Sequence, residues 1–200
     1  MDNAPLLHLR GIEARRRRRS LFAPLDLRLL PGERCLLEGP NGLGKTTLAQ
    51  IVCGLRRPAR GSLRRPEHLG YVPQEPRFPE HLKVQDYLSQ LAALCAQPSR
   101  ECLRQAQQAI ALFQLQDATR HRIRTLSRGW KQRLNLARAW LGDPPLVVLD
   151  EPQTALDREG MNRLTEILDQ GRQACLVLAP PGTGCETLVQ TRLSLRPATA

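Results

Sequence analysis

Two hundred residues carry a formal net charge of +11, from 30 basic and 19 acidic side chains, and that length suits one domain with room for a subdomain and a self-standing core. No apolar run approaches the roughly 18 residues a membrane-crossing helix needs, and the opening Met1-Asp2-Asn3-Ala4-Pro5 lacks the charged-then-apolar layout of a secretory signal. The expectation is a cytosolic chain whose basic excess, 27 Arg against three Lys, reflects GC-rich coding as much as an acidic partner.

In chain order, Leu6 to Ile12 alternates weakly and reads as a first strand. The run Arg15 to Arg19 makes a turn. No aromatic residue interleaves with it, so it reads as a solvated hairpin tip rather than a nucleic-acid or lipid patch. Leu25 to Leu29 alternates at period two, a half-buried strand. Pro31-Gly32-Glu33 is a tight turn, and Arg34 to Glu38 is a short apolar strand. Thr47 to Cys53 has helical spacing and stops at Gly54, and Arg56 to Gly61 is a basic loop. Leu69 to Gln74 reads as a short buried strand.

From Pro79 the pattern changes to helical stripes, with apolar residues at 84, 87, 88, 91 and 94 and again at 103, 106, 109, 110 and 112. This predicts a helical insert over about residues 79–140 within a single domain spanning 1–200. A helix over Trp130 to Leu141 has Ser127 placed as its cap. Leu146 to Leu149 is an uninterrupted apolar run, a strand buried on both faces as in a parallel sheet. Asp157 to Asp169 is amphipathic, Cys175 to Ala179 is another buried strand, and Leu188 to Leu195 a last one. The six Cys show neither C-x-x-C nor His-ligand spacing, so they read as free thiols packed as small apolar residues.

The chemistry concentrates at Gly39-Pro40-Asn41-Gly42-Leu43-Gly44-Lys45-Thr46-Thr47, a phosphate loop placed between a strand and a helix. Its glycines let successive N–H groups turn inward on phosphate oxygens. Lys45 brings a point charge to the outer phosphates, Thr46 offers a hydroxyl to Mg²⁺, and the following helix aims its positive end at the same anion. Asp150, at the end of a buried strand, is placed to hold Mg²⁺. Glu151, one residue on, is placed to polarise a water for in-line attack on a γ-phosphate.

Four pieces stand in order: the phosphate loop, Gln74 at a strand end, Leu126-Ser127-Arg128-Gly129, and Leu146 to Pro152 followed by Thr154-Ala155-Leu156-Asp157. Together they resemble the nucleotide-binding domain of ATP-binding-cassette (ABC) transporters over roughly residues 5 to 195. The resemblance implies an α/β cassette with a mainly parallel core sheet, an N-terminal antiparallel β-subdomain and a helical insert. It implies ATP and Mg²⁺ as ligands, with Gln74 a further metal or water contact. Ser127, Arg128 and Gly129 would close over the ATP of a second cassette, and Asp157 would link the two sites. It also implies a separate integral membrane subunit as partner, no nucleic acid, and a peripheral position on the cytoplasmic face of the inner membrane.

Within the family, Leu136 to Leu141 together with Leu149 to Asp157, Gly160 and the compact opening Ser20-Leu21-Phe22 resemble the branch that serves cytochrome c biogenesis as the ATP subunit of a haem exporter. Three departures stand out. The usual Leu-Ser-Gly-Gly-Gln signature reads Leu126-Ser127-Arg128-Gly129-Trp130. Pro180-Pro181-Gly182 occupies the place of the histidine that meets the γ-phosphate. The aromatic residue that stacks on adenine is replaced by the arginine run, whose guanidinium can stack instead. The alternative is therefore a degenerate cassette that binds ATP with little hydrolysis and serves as a regulatory or heterodimer partner.

Overall fold

Alternation decides the first layer. The computed structural model describes residues 4–17, 19–94 and 99–198. In it β1 (Leu7–Glu13) pairs antiparallel with β4 (Leu25–Leu29) on one side and β6 (Arg60–Arg64) on the other. Leu7 faces Leu29 and Leu9 faces Leu27, so one side of this sheet is buried. A small hairpin, β2 (Arg15–Arg16) and β3 (Arg19–Ser20), rises between β1 and β4.

The second sheet is parallel, in the order β10–β5–β9–β8–β7, built from β5 (Arg34–Glu38), β7 (Gly70–Val72), β8 (Leu146–Asp150), β9 (Ala174–Ala179) and β10 (Thr191–Ser194). Every residue of β8 and β9 is buried. The two faces feed different cores: Val147, Leu149 and Val177 pack on one side, Leu146, Val148, Leu176 and Leu178 on the other. That is why these strands read as unbroken apolar runs. On the second side α1 (Lys45–Val52) covers β8 and β9. On the first lie α4 (Arg128–Ala139) and α5 (Arg158–Gln170).

Between β7 and α4 the chain makes a helical hairpin, α2 (Val84–Leu94) and α3 (Ser99–Leu112). Its base is pinched shut, because Ile123 N–H donates to Leu82 C=O at 2.9 Å and Val84 N–H to His121 C=O at 3.2 Å. Among the described residues no helix is long and apolar enough to cross a membrane.

Two readings need correction. The basic loop ends earlier than expected, because Arg60 and Gly61 already belong to β6. β6 is an edge strand whose side chains stay largely in solvent, so no apolar alternation marks it. The helix expected to begin at Thr47 begins at Lys45, one residue after Gly44.

Candidate nucleotide site

β5 ends at Glu38, and the chain turns through Gly39–Gly44 before entering α1. Gly39 N–H is tied to Ala179 C=O of β9 at 3.3 Å, which docks the loop on the sheet edge. Gly44 caps α1 with φ +101°, and no side chain accepts from the helix's first N–H groups. A Cβ at Gly44 would also press Leu21 at 3.0 Å, so glycine is required twice over. The unclaimed N–H groups point where an anion belongs.

Lys45 is almost fully buried. Its Nζ folds back over the loop, donating to Gly39 C=O at 2.9 Å, Pro40 C=O at 3.3 Å and Asn41 Oδ1 at 3.5 Å. It also pairs with Glu151 Oε1 at 3.3 Å. A pocket of about 260 Å³ opens over the loop, lined by Asn41, Gly42, Gly44, Lys45, Thr46 and Thr47, with Gln74 and Glu151 opposite and Arg16 and Leu21 at the mouth. It continues into a wider cleft of about 720 Å³ between Pro40–Leu43 and the arginine hairpin, where Arg16, Arg17 and Arg19 form the wall.

The carboxylates come from the parallel sheet. β7, β8 and β5 all end at the same edge, so Gln74, Asp150 and the phosphate loop converge although more than a hundred residues separate the loop from Asp150. Asp150 is fully buried and neither of its oxygens has a hydrogen-bond partner. Burial pushes its pKa up to about 6. The Thr46 hydroxyl beside it, short of hydrogen-bond geometry, pulls the other way, while Glu151 adds to the rise and Lys45 opposes it. An unpartnered buried carboxylate next to a threonine hydroxyl is a donor pair that suits a small hard cation. Among the described residues no group of three His, Cys, Asp or Glu gathers to hold a metal alone. A hard cation here therefore needs further oxygens from water or phosphate, as Mg²⁺ does.

Glu151 sits in a left-handed conformation, φ +50°, which costs a non-glycine residue about 1–2 kcal/mol. Its N–H donates to Leu178 C=O at 2.8 Å and its C=O accepts the Thr154 hydroxyl at 2.8 Å, so the backbone around it is over-determined. The turn throws its side chain back to Lys45, and Gln74 Nε2 donates to Glu151 Oε2 at 2.8 Å.

This apparatus, a phosphate loop at one strand end and an aspartate–glutamate step at another, matches what comparison with known proteins returns. The family model described as ABC transporter matches residues 22–154. The chain belongs to the ABC transporter family. As a member it is an ATP-binding and ATP-hydrolysing subunit. The cytochrome c biogenesis ATP-binding export protein CcmA of Xylella fastidiosa (strain 9a5c) is 34% identical over 94% of this chain and 89% of its own. The protein of the same name from Pseudomonas syringae pv. syringae is 37% identical over 82% of this chain and 81% of its own. A solved metal-chelate-type ABC transporter in an inward-facing conformation shares the fold, with TM-score 0.83 and 23% identity over 96% of this chain and 79% of that one.

The remaining cassette residues lie outside the phosphate pocket. Ser127 caps α4, its Oγ accepting Trp130 N–H at 3.3 Å. Arg128 Nη2 reaches Thr154 C=O at 3.1 Å, and Ser127, Arg128 and Gly129 are all exposed. Asp157 caps α5 by accepting Gly160 N–H at 2.8 Å. The loop after β9 spends its polar groups internally: Gly182 N–H donates to Glu186 Oε1 at 2.9 Å and the Thr183 hydroxyl to Pro180 C=O at 2.9 Å. Sequence reading missed Gln132 and Asn135, two buried amides on α4. Their spacing of three, which puts both on one helix face, was the available signal.

Proposed function

We propose that this chain is the ATP-driven subunit of an exporter serving cytochrome c biogenesis, with haem as its cargo. Two of its relatives carry the name cytochrome c biogenesis ATP-binding export protein and align over most of its length. Residues 1–200 act as one cassette, with about 79–140 as the helical insert. It pairs with a second cassette and with a separate membrane subunit, peripheral on the cytoplasmic face of the inner membrane.

ATP enters with its phosphates on the N–H groups of Gly39 to Thr47 and on Lys45, and its base on the arginine wall, where a guanidinium plane can stack on it. Thr46 and Asp150, with Gln74 nearby, would hold Mg²⁺, which neutralises charge on the β- and γ-phosphates when bound. Lys45 then exchanges Glu151 and the loop carbonyls for phosphate oxygens. Released from Lys45, the Glu151 carboxylate accepts a proton from the attacking water, and Gln74 holds that carboxylate in line. Ser127 with Arg128 and Gly129 contacts the nucleotide of the partner cassette, and Asp157 stands between the two sites.

A second reading, a cassette of low turnover, is favoured by one observation. Gly182 N–H and the Thr183 hydroxyl are already committed within the loop that follows β9, which leaves a γ-phosphate little to bind there. Deleting the gene and scoring covalently haem-bound c-type cytochromes tests the export reading. Loss of these cytochromes, restored by wild type and not by Lys45→Ala, is expected; unchanged levels would overturn it.

A further inference from the structure

α4, capped by Ser127, carries two amides inward, Gln132 and Asn135, both buried. Asn135 Nδ2 spends one hydrogen on Pro73 C=O at 2.9 Å and the other on Gln132 Oε1 at 3.2 Å. Gln132 Nε2 in turn donates to Pro152 C=O at 3.2 Å. Pro73 is bonded to Gln74, and Pro152 to Glu151. Gln74 Nε2 meets Glu151 Oε2 at 2.8 Å. The contacts close a ring that runs from Gln74 through Pro73, Asn135, Gln132, Pro152 and Glu151 back to Gln74.

The donors diverge from Asn135, one arm to Pro73 and the other through Gln132 to Pro152. Pro73 lies in the loop that leaves β7, and Pro152 opens the short 3-10 helix Pro152–Ala155 that follows β8. The arrangement is not the cheapest way to fill the core. Asn135 Oδ1 is buried without a partner, a cost an apolar residue of similar volume would not carry. Retaining a costly amide beside the reacting carboxylate is the pattern of a group kept for geometry rather than stability.

We infer that Asn135 and Gln132 are positioning residues: a buried amide strap on α4 that sets the spacing of Gln74 and Glu151 and ties it to the helix headed by Ser127. A shift of α4 along its axis would pull Pro73 and Pro152 together, so the two ends of the pair move as one. The helix that meets the partner's nucleotide at its start thereby reports to its own chain's Glu151 through an amide eight residues after Ser127.

The inference rests on Gln74 and Glu151 acting in hydrolysis, and the experiment separates the two ideas. In the full-length chain, Asn135→Leu keeps volume and removes the strap, and Asn135→Asp keeps shape and removes the donor. We expect kcat to fall about tenfold or more in both, with ATP affinity, measured by direct binding, within twofold of wild type. Combined with Gln74→Ala, Asn135→Leu should add no further loss of kcat, because both remove one constraint. Asn135→Leu leaves Pro73 C=O and Gln132 Oε1 unpaired and should melt lower than wild type, so kcat is compared below the melting transition of every variant, where unchanged ATP affinity shows that lost turnover is not unfolding. If Glu151→Gln and Gln74→Ala leave turnover intact, the catalytic reading itself fails. If they lower it while Asn135→Leu does not, or if the losses multiply, the strap is refuted.

Discussion

Lys45 has two occupations that exclude each other. In the structure its ammonium satisfies the carbonyls of Gly39 and Pro40 and pairs with Glu151; to hold a phosphate it must turn from them. Lys45→Ala should therefore weaken ATP and ADP binding roughly ten- to a hundred-fold, the worth of one charge-assisted contact. It should also lower the melting temperature by roughly 2–4 °C for about 1 kcal/mol lost, since Glu151 loses its ion pair and keeps only the Gln74 amide. Calorimetric binding with a thermal melt checks both, and unchanged affinity would remove the loop from the site. Asp150 bears on pH. Its folded pKa of about 6 stands above the 3.8 of an ordinary aspartate, so the folded chain holds the proton more tightly than the unfolded one. Stability from this group is then undiminished below about pH 4, declines as pH rises through 4 to 6, and stays lowered above. Asp150→Asn should be more stable than wild type at pH 7.5 in chelator by about 1–3 kcal/mol, and equal to it at pH 4. Urea melts at the two pH values decide it, and a gap of the same size at both would sink the burial argument.

At the scale of elements, edge strands are where sequence reading slipped. β6 carries Arg60, Ser62 and Arg64 outward and lies at the margin of its sheet, so nothing in its composition speaks of a strand. What builds it is contact: Gly61, at φ +91°, comes so close to β1 that a Cβ would meet Gly11 C=O at 2.4 Å. Gly61→Ala should destabilise the chain by about 2 kcal/mol or more, through left-handed strain plus the clash. Hydrogen exchange should show the loss concentrated in β1 and β6 rather than in the parallel sheet. Even loss across both sheets would mean that the two fold as one unit. α4 and α5 contrast with β6. The cap of α4, Ser127, was legible because a short polar side chain before a helical stripe has a local purpose, and Asp157, read only as the start of an amphipathic stretch and a link between sites, caps α5 in the same way.

For the whole molecule the signature surface matters most. Ser127, Arg128 and Gly129 lie exposed and outside the chain's own phosphate pocket, which is the arrangement a second copy or a second cassette would complete. Glu151→Gln should bind ATP and retain it, so that size-exclusion chromatography with ATP and Mg²⁺ shows a dimer absent with ADP; a monomer under both would remove the trans contact. Turnover of wild type without a membrane partner should be slow. Pro181→His should raise it, because proline lacks an N–H and Gly182 N–H is already taken by Glu186. An unpartnered wild-type rate equal to that of ordinary transporter ATPases would acquit this loop.

Sequence by itself determined the phosphate loop, the aspartate–glutamate step and the parallel strands, because each is written in neighbouring residues: glycines where backbone must approach a phosphate, and unbroken apolar runs where both faces of a strand are covered. It also carried the family, since Gln74, Ser127 and Asp157 stand in a fixed order. Tertiary structure alone decided which groups meet. Gln74 and Glu151 are 77 residues apart and touch only because β7 and β8 are neighbours in the sheet. The occupation of Lys45 by Glu151, the unpartnered oxygens of Asp150 and the amides of Gln132 and Asn135 depend on contacts between distant segments. Local pattern can say that a side chain is polar; only packing says whether it is buried, and against what.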